Sequence, residues 1–387
     1  MSARLEAVKD SFWLPSAMTV TGSVAAAFAL TSVQPLAAIH LGVFGLSDEA
    51  SARAVLQTIA TATVSVAGLS FSVTLVALTL AAQQLSPRVL RTFRADRVAQ
   101  VTLASFLGAF AYSLTVLARL GSVSGPQVPE FAVTVAMVFA LGSFAMFVAF
   151  IGDIVVALQA STVIRRIADD AQGAIRGRNP RGIGSAGDDQ ALAPTLGAIM
   201  SRGDGVPIRA RSHGYLTHLD RQIVSLAAEH DCFVCQCAPV GDYVVHGQVL
   251  AEVWPAGTAR PPLEEFGECF RLAAERTFAA DPAFAVRQLA DVALRALSPG
   301  VNDPTTAENA MSALTDVLIR FAADDPVTAL RVDERGSPRL LALVPSFDDL
   351  FRVGFEEVEA AAKGQVAIER RLAALRALLS AQVAEAA

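Results

Sequence analysis

Four long apolar stretches, all within about the first 160 residues, restrict this chain more than any other feature in it. A helix needs roughly 20 mostly apolar residues to cross a bilayer. Stretches from about Trp13 to Ile39, Val55 to Ala82, Val98 to Ala118 and Phe131 to Leu158 each reach that length. The 387-residue chain is 53% hydrophobic and only 18% charged, against about a quarter charged in an ordinary soluble protein. The apolar excess belongs to the N-terminal part, and the remainder has an ordinary soluble composition. A cleaved signal peptide is the rival reading of the first stretch. Its apolar run exceeds the 7–15-residue core of such peptides, and three further spans follow. The expected fold is a membrane α-helical domain of four transmembrane helices followed by an α+β region. The boundaries are 1–164 for the spans, 165–206 for a linker, 207–258 for a small β module and 259–387 for a helical domain.

Orientation follows from loop arginines and lysines, which favour the cytoplasmic side. The loop between spans two and three carries Arg88, Arg91, Arg94 and Arg97, and the segment after span four starts with Arg165 and Arg166. The other two loops carry only Arg53 and Arg119. Both termini are therefore expected on the cytoplasmic side, with membrane lipid as a partner. The net charge of −6 argues against a general nucleic-acid binder.

Span two raises the functional question. At about 100° per residue, Thr61, Ser65, Gly68, Ser72, Thr79 and Gln83 fall within one sector of roughly 60°. Thr63, Ala67, Ser70, Thr74 and Gln84 fall on the opposite side. Small residues let membrane helices approach closely, and one stripe suffices for that. Two opposed stripes leave one for a water-filled path or a symmetry mate, which suits weakly selective passage in a homo-oligomer. Pro87 disfavours helical geometry at Ser86. Beyond it the arginines at 88, 91, 94 and 97 read either as an anchor on anionic lipid or as a cationic ring at a pore mouth. Asp153, in span four, is a functional candidate if it lies at membrane depth and an interfacial residue otherwise.

Four segments carry a family resemblance: "TVSVAGLSFSVTLVALTLAAQQLSPRVLRTFRADR", "GYLTHLD", "GDYVVHGQVLAEVW" and "RQLADVALRALSPGVNDPTTA". The chain resembles, over nearly its whole length, the bacterial predicted membrane proteins catalogued as domain of unknown function 2254. The resemblance implies an integral protein of the bacterial inner membrane, with an N-terminal multi-span region and a cytoplasmic C-terminal region. It implies no activity and no catalytic residues.

In the C-terminal half, residues 173–206 are rich in Gly, Arg, Asp and Pro and read as a long loop. "GYLTHLDRQIVSLAAEHD" reads as a strand and then a helix, and "CFVCQCAPVGDYVVHGQVLAEVW" as two or three strands. Its "GDYVVHGQVLAEV" resembles half of a biotinyl- or lipoyl-type sandwich, but the modified lysine of that fold is missing. From Pro262 the chain reads as helical through "EFGECFRLAAERTFAADP" and "AFAVRQLADVALRAL". The C-terminal segment carries Val366, Leu372, Leu375 and Leu379 along one side, for a core or an oligomer contact.

"LSPGVNDPTTAENAM" joins two helices. Asp303 before Pro304 reads as an N-cap with a first-turn proline. The same helix start can hold an anion, with Arg276, Arg287 and Asn302 as further candidates. Asp303 opposes an anion unless it is fully engaged as the cap. Cys232, Cys235 and Cys237, with His230 and Cys269, invite a zinc reading. A strand would put Cys235 and Cys237 on one face and Cys232 on the other, so no metal and no cofactor is expected. A nucleophile elbow, Walker loop, zinc-protease helix and paired-carboxylate motif are all lacking in the sequence, so no enzyme class is indicated. A homo-oligomeric ion channel or transporter-like pore is the leading reading. A membrane-anchored sensor or scaffold is the alternative, and an unrecognised membrane enzyme the third.

Overall fold

The computed structural model describes residues 13–32, 49–84, 97–120, 130–157, 159–201, 203–257 and 261–386. They divide into two compact units, Met1–Thr162 and Val163–Ala387.

In the first unit, α1 (Trp13–Ser32), α2 (Glu49–Gln84), α3 (Arg97–Leu120) and α4 (Glu130–Ala157) correspond to the four expected spans. Each contains a stretch long and apolar enough to cross a membrane: Leu14–Ser32, Glu49–Val76, Val98–Leu120 and Glu130–Val156. α3 is the central helix and packs on the other three. Its Gly108 explains the closeness of α1. A Cβ there would lie 2.8 Å from Thr19 Cγ2 and 2.9 Å from Ser23 Oγ. Leu56 of α2, Tyr112 and Val116 of α3 and Val133 of α4 form the core at one end of the bundle. α4 turns Val138, Leu141, Phe144, Val148 and Val155 outward. Such an apolar exterior suits acyl chains and not water. With 36 residues, α2 is about 54 Å long, well beyond the ~30 Å hydrocarbon core.

The second unit is built on two sheets. β1 (Ser185–Ala186), β8 (Leu330–Val332), β9 (Pro338–Leu341), β4 (Cys232–Gln236), β6 (Val249–Pro255) and β2 (Val206–Arg209) lie in that order in the larger sheet. β4 and β9 are parallel and the other neighbours antiparallel. The smaller sheet is β5 (Tyr243–Val244), β3 (Gly214–Leu219) and β7 (Phe270–Ala273), all antiparallel neighbours. Between the sheets lies a core of Ile208, Leu216, Leu219, Val234, Leu250, Val253 and Phe266. α7 (Gln222–Glu229) adds Ile223, Val224 and Ala227 to it. A helical layer completes the unit: α9 (Pro282–Ala296), α10 (Pro304–Ala323), and the succession α11 (Phe347–Phe351), a π-helical turn (Arg352–Glu356) and α12 (Glu357–Ala361). The last helix is α13 (Val366–Ala386). Its Ile368, Leu372, Leu375 and Leu379 are buried while Val366 is 56% exposed, so the apolar stripe is core with Ile368 in place of Val366.

The second unit departs from its local sequence pattern in three places. The 173–206 stretch contains the end of α5 (Ala160–Gly177), strand β1 and α6 (Asp189–Met200). Asp188 caps α6 by accepting from the Gln190 and Ala191 amides. Leu192, Leu196 and Ile199 then pack on Phe233, Trp254 and Leu330. That burial holds a helix despite the internal Pro194, which costs it a backbone hydrogen bond. Second, "EFGECFRLAAERTFAADP" holds only the last four residues of a six-residue helix, α8 (Leu263–Glu268), and then β7. Phe270, Leu272 and their neighbours pair with β3 instead of continuing the helix. Third, the segment after residue 259 also supplies β8 and β9 to the larger sheet, beside β4. Strand pairing across about a hundred residues leaves no local signal.

Candidate functional site

α2 has one inward and one outward small-or-polar face. Ala60, Thr63, Ala67 and Ser70 are buried within the first unit, where α2 packs on α3 and α4. Thr61, Ser65, Gly68, Ser72 and Thr79, on the opposite side, are exposed. The flanking Val64, Leu69, Phe71, Leu75 and Val76 are exposed as well. One of the two stripes is thus consumed by packing inside a single chain. The other is left on the outside of the bundle.

The outward hydroxyls already have acceptors. Ser65 Oγ donates to the Thr61 carbonyl at 2.8 Å, Ser72 Oγ to Gly68 at 3.0 Å and Thr79 Oγ1 to Val76 at 2.8 Å. Back-bonding of this kind satisfies the donor and leaves the oxygen able to accept from a passing solute or a neighbouring helix. Gln83 lies in the last turn of α2, and Arg97 opens α3. Arg88, Arg91 and Arg94 lie outside the described residues. Asp153 sits in the last two turns of α4 and is half-buried.

The four C-terminal pocket candidates do not converge. Arg276 donates through Nε to Asp281 Oδ2 at 2.8 Å and lies over the Phe284 ring at 5.1 Å. Asp281 in turn caps α9 by accepting from the Phe284 amide at 3.1 Å. Burial pushes the Asp281 carboxyl above its ordinary range, against the opposing pull of Arg276. Arg287, within α9, is held by Asp291 at 2.9 Å and Glu357 at 2.7 Å. Asn302 and Asp303 sit past the other end of α9, where the Asp303 amide donates to the Ala296 carbonyl at 2.8 Å. The 15 residues of α9 separate the two ends by about 20 Å. Asp303 is the cap of α10, accepting from the Thr306 amide at 3.1 Å. Hydrogen bonds from the Thr306 side chain and amide hold its carboxyl below the usual range. Asn302 adopts a left-handed φ of 47° in the turn before it. Asn302 and Asp303 build the corner between α9 and α10, and both arginines are neutralised by carboxylates elsewhere.

The four cysteines are free thiols: Cys232 and Cys235 on β4, Cys237 just past it and Cys269 capping α8. Cys232 is buried and donates to the His230 carbonyl at 3.2 Å, and Cys237 is exposed. Burial pushes the Cys235 and Cys269 thiols up to about 11, so they are not poised as thiolates. Among the described residues, no group of three His, Cys, Asp or Glu side chains is placed to hold a metal ion.

One concave feature went unread in the sequence. An open groove of about 700 Å³ runs between β2, the β2–β3 loop and α8, lined by Arg209, Arg211, Ile208, Pro262, Glu264 and Phe270 among others. Arg211 and Glu264 form an ion pair of 2.5 Å at its rim. Its walls come from segments about 50 residues apart, and none carries a motif.

Residues 9–377 match the family described as "Predicted membrane protein (DUF2254)". An uncharacterized protein of Mycobacterium tuberculosis (strain H37Rv) is 34% identical over 318 residues, covering 79% of this chain and 59% of the relative. An uncharacterized protein of Mycobacterium bovis gives the same identity and coverage. The chain therefore spans about three fifths of the length of these relatives. No solved structure matches. With four candidate spans and a match over nearly all its length, the chain belongs to the DUF2254 family of predicted membrane proteins.

Proposed function

We propose that the chain is the subunit of a homo-oligomeric ion channel or transporter-like pore, with the outward stripe of α2 lining the path and the C-terminal unit regulating it. The reading rests on one observation: Thr61, Ser65, Ser72 and Thr79 form an exposed face, while the matching face of α2 is buried in the chain's own core. Sister copies brought together along that face would surround a path of hydroxyls without fixed charge, which suits weak selectivity. The arginine-rich segment from 88 to 97 would stand at the cytoplasmic mouth and favour anions. This orientation, with both termini on the cytoplasmic side of a bacterial inner membrane, rests on loop charge.

The second reading is a membrane-anchored sensor or scaffold. The back-bonded hydroxyls favour it, because a satisfied hydroxyl tolerates acyl chains. Current across planar bilayers containing the purified protein separates the two. Ser72→Leu with Thr79→Leu should abolish flux and leave the oligomer intact in detergent. A protein that passes no current in the unsubstituted form, or conducts normally with both leucines, would remove the pore reading.

A further inference from the structure

The bundle interior contains hydroxyls that differ from those of the outward stripe. Thr102 Oγ1 and Ser113 Oγ of α3, Ser143 Oγ of α4 and Ser16 Oγ of α1 are buried and find no hydrogen-bond partner in the protein. Thr102 and Ser113 are fully buried at 0% exposure and Ser143 is at 1%. Thr102 and Ser113 are eleven positions apart. At about 100° per residue they lie within roughly 20° of one another, on one face of α3. They are about 16 Å apart along it. Ala109, also buried, stands between them on that face. Ser143 falls at the same depth as Ala109. It lies between Phe139, whose ring meets Tyr112 at 6.4 Å, and Phe147, whose ring meets Phe106 at 6.0 Å.

A hydroxyl in the centre of a bilayer has no bulk water to bond, and leaving it unpaired is costly. Among the described residues of this bundle, most hydroxyls avoid that cost by donating to a carbonyl three or four residues back, as Thr31, Thr63, Ser70 and Thr115 do. Among the buried hydroxyls that do not, two in register on the central helix and one between them in depth on α4 form a polar thread covering about half of the hydrocarbon thickness. Apolar residues of the same size would fill the space at less cost. A buried polar site with several such groups is what ordered water occupies.

We propose that the interior of each bundle binds ordered water along Thr102, Ser143 and Ser113, so that α3 has a hydrated inner face within a single chain. This does not depend on α2 lining a path between subunits, and it stands if that reading fails.

The sign of a stability change tests it. In the full-length protein in nanodiscs, Thr102→Val keeps the side-chain shape and removes the hydroxyl. With water bridged to Thr102, the melting temperature should fall by roughly 2 °C or more, and Thr102→Ser should restore most of it. In a dry core, removing an unpaired hydroxyl leaves the melting temperature unchanged or raises it, and that result overturns the proposal. Aqueous access gives a second readout, in a background with Cys232, Cys235, Cys237 and Cys269 replaced by alanine. Silver ion should modify Thr102→Cys and Ser113→Cys much faster than Val133→Cys in the apolar core. Equal rates at the three positions would also overturn it.

Discussion

The Tyr112 hydroxyl of α3 donates to the Ala132 carbonyl of α4 at 3.0 Å, with the ring 2% exposed. It is a bond between two spans, and both partners are buried. Tyr112→Phe keeps the edge contact with Phe139 and removes only this bond. The expected loss is about 1 kcal/mol, read as a lower melting temperature of the full chain in detergent. An unchanged value would mean that the hydroxyl finds another acceptor.

The two faces of α2 should respond differently to bulk. Ala67→Leu and Ser70→Leu place side chains in the buried interface with α3 and α4 and should destabilise the bundle by about 1–3 kcal/mol. Ser65→Leu on the outward face should leave the melting temperature of the monomer near its original value. Thermal scans in detergent, with oligomer size measured in parallel, distinguish a fold effect from an assembly effect.

Gly241 is a tight point of the second unit. Its φ of +99° is a left-handed value, and a Cβ would lie 2.5 Å from Asp281 Oδ2 and 2.6 Å from an Arg276 guanidinium nitrogen. Gly241→Ala should therefore strain the backbone and push apart the Arg276–Asp281 pair. Breaking a buried pair costs about 3–5 kcal/mol. Denaturant titration of the full chain should show a clearly lower midpoint, and a wild-type midpoint would mean that the loop yields.

Asp303 links stability to pH. Its folded carboxyl is held below the ordinary range by Thr306. A depressed carboxylate contributes stability above the unfolded value near pH 4, and that contribution is lost as pH falls through the folded value. Asp303→Ala should cost about 1 kcal/mol at neutral pH. The difference from wild type should shrink below about pH 4, as measured by melting temperature against pH. A gap that stays constant into acid would refute the ionised cap.

A C-terminal fragment beginning at residue 207 should be less soluble than one beginning at 159. The shorter fragment lacks α6, exposing Phe233, which is 2% exposed in the complete unit, and Leu330, which is 0% exposed. It also lacks the Ile183 and Gly184 carbonyls to which Arg331 donates at 2.6 and 2.8 Å. Size-exclusion chromatography should show aggregation of the shorter fragment alone.

Local pattern determined the four spans, the Asp303 cap with its proline, and strands β3 to β6. In each case the signal lies within one element: a run of apolar residues, a cap beside a first-turn proline, or β-branched and aromatic residues between turns. The two faces of α2 were equally legible, but not which of them faces inward. Both are small and polar, and only the packing of α3 against Ala60, Thr63, Ala67 and Ser70 decides it. For the anion-pocket candidates, what the sequence left open was the partners of the arginines: Arg276 is taken up by Asp281, and Arg287 by Asp291 and Glu357. The parallel pairing of β4 with β9, and the role of α6 as a cover for Phe233 and Trp254, were likewise settled by tertiary contacts. Burial supplied by distant segments is a property of the folded chain, and local periodicity carries no record of it.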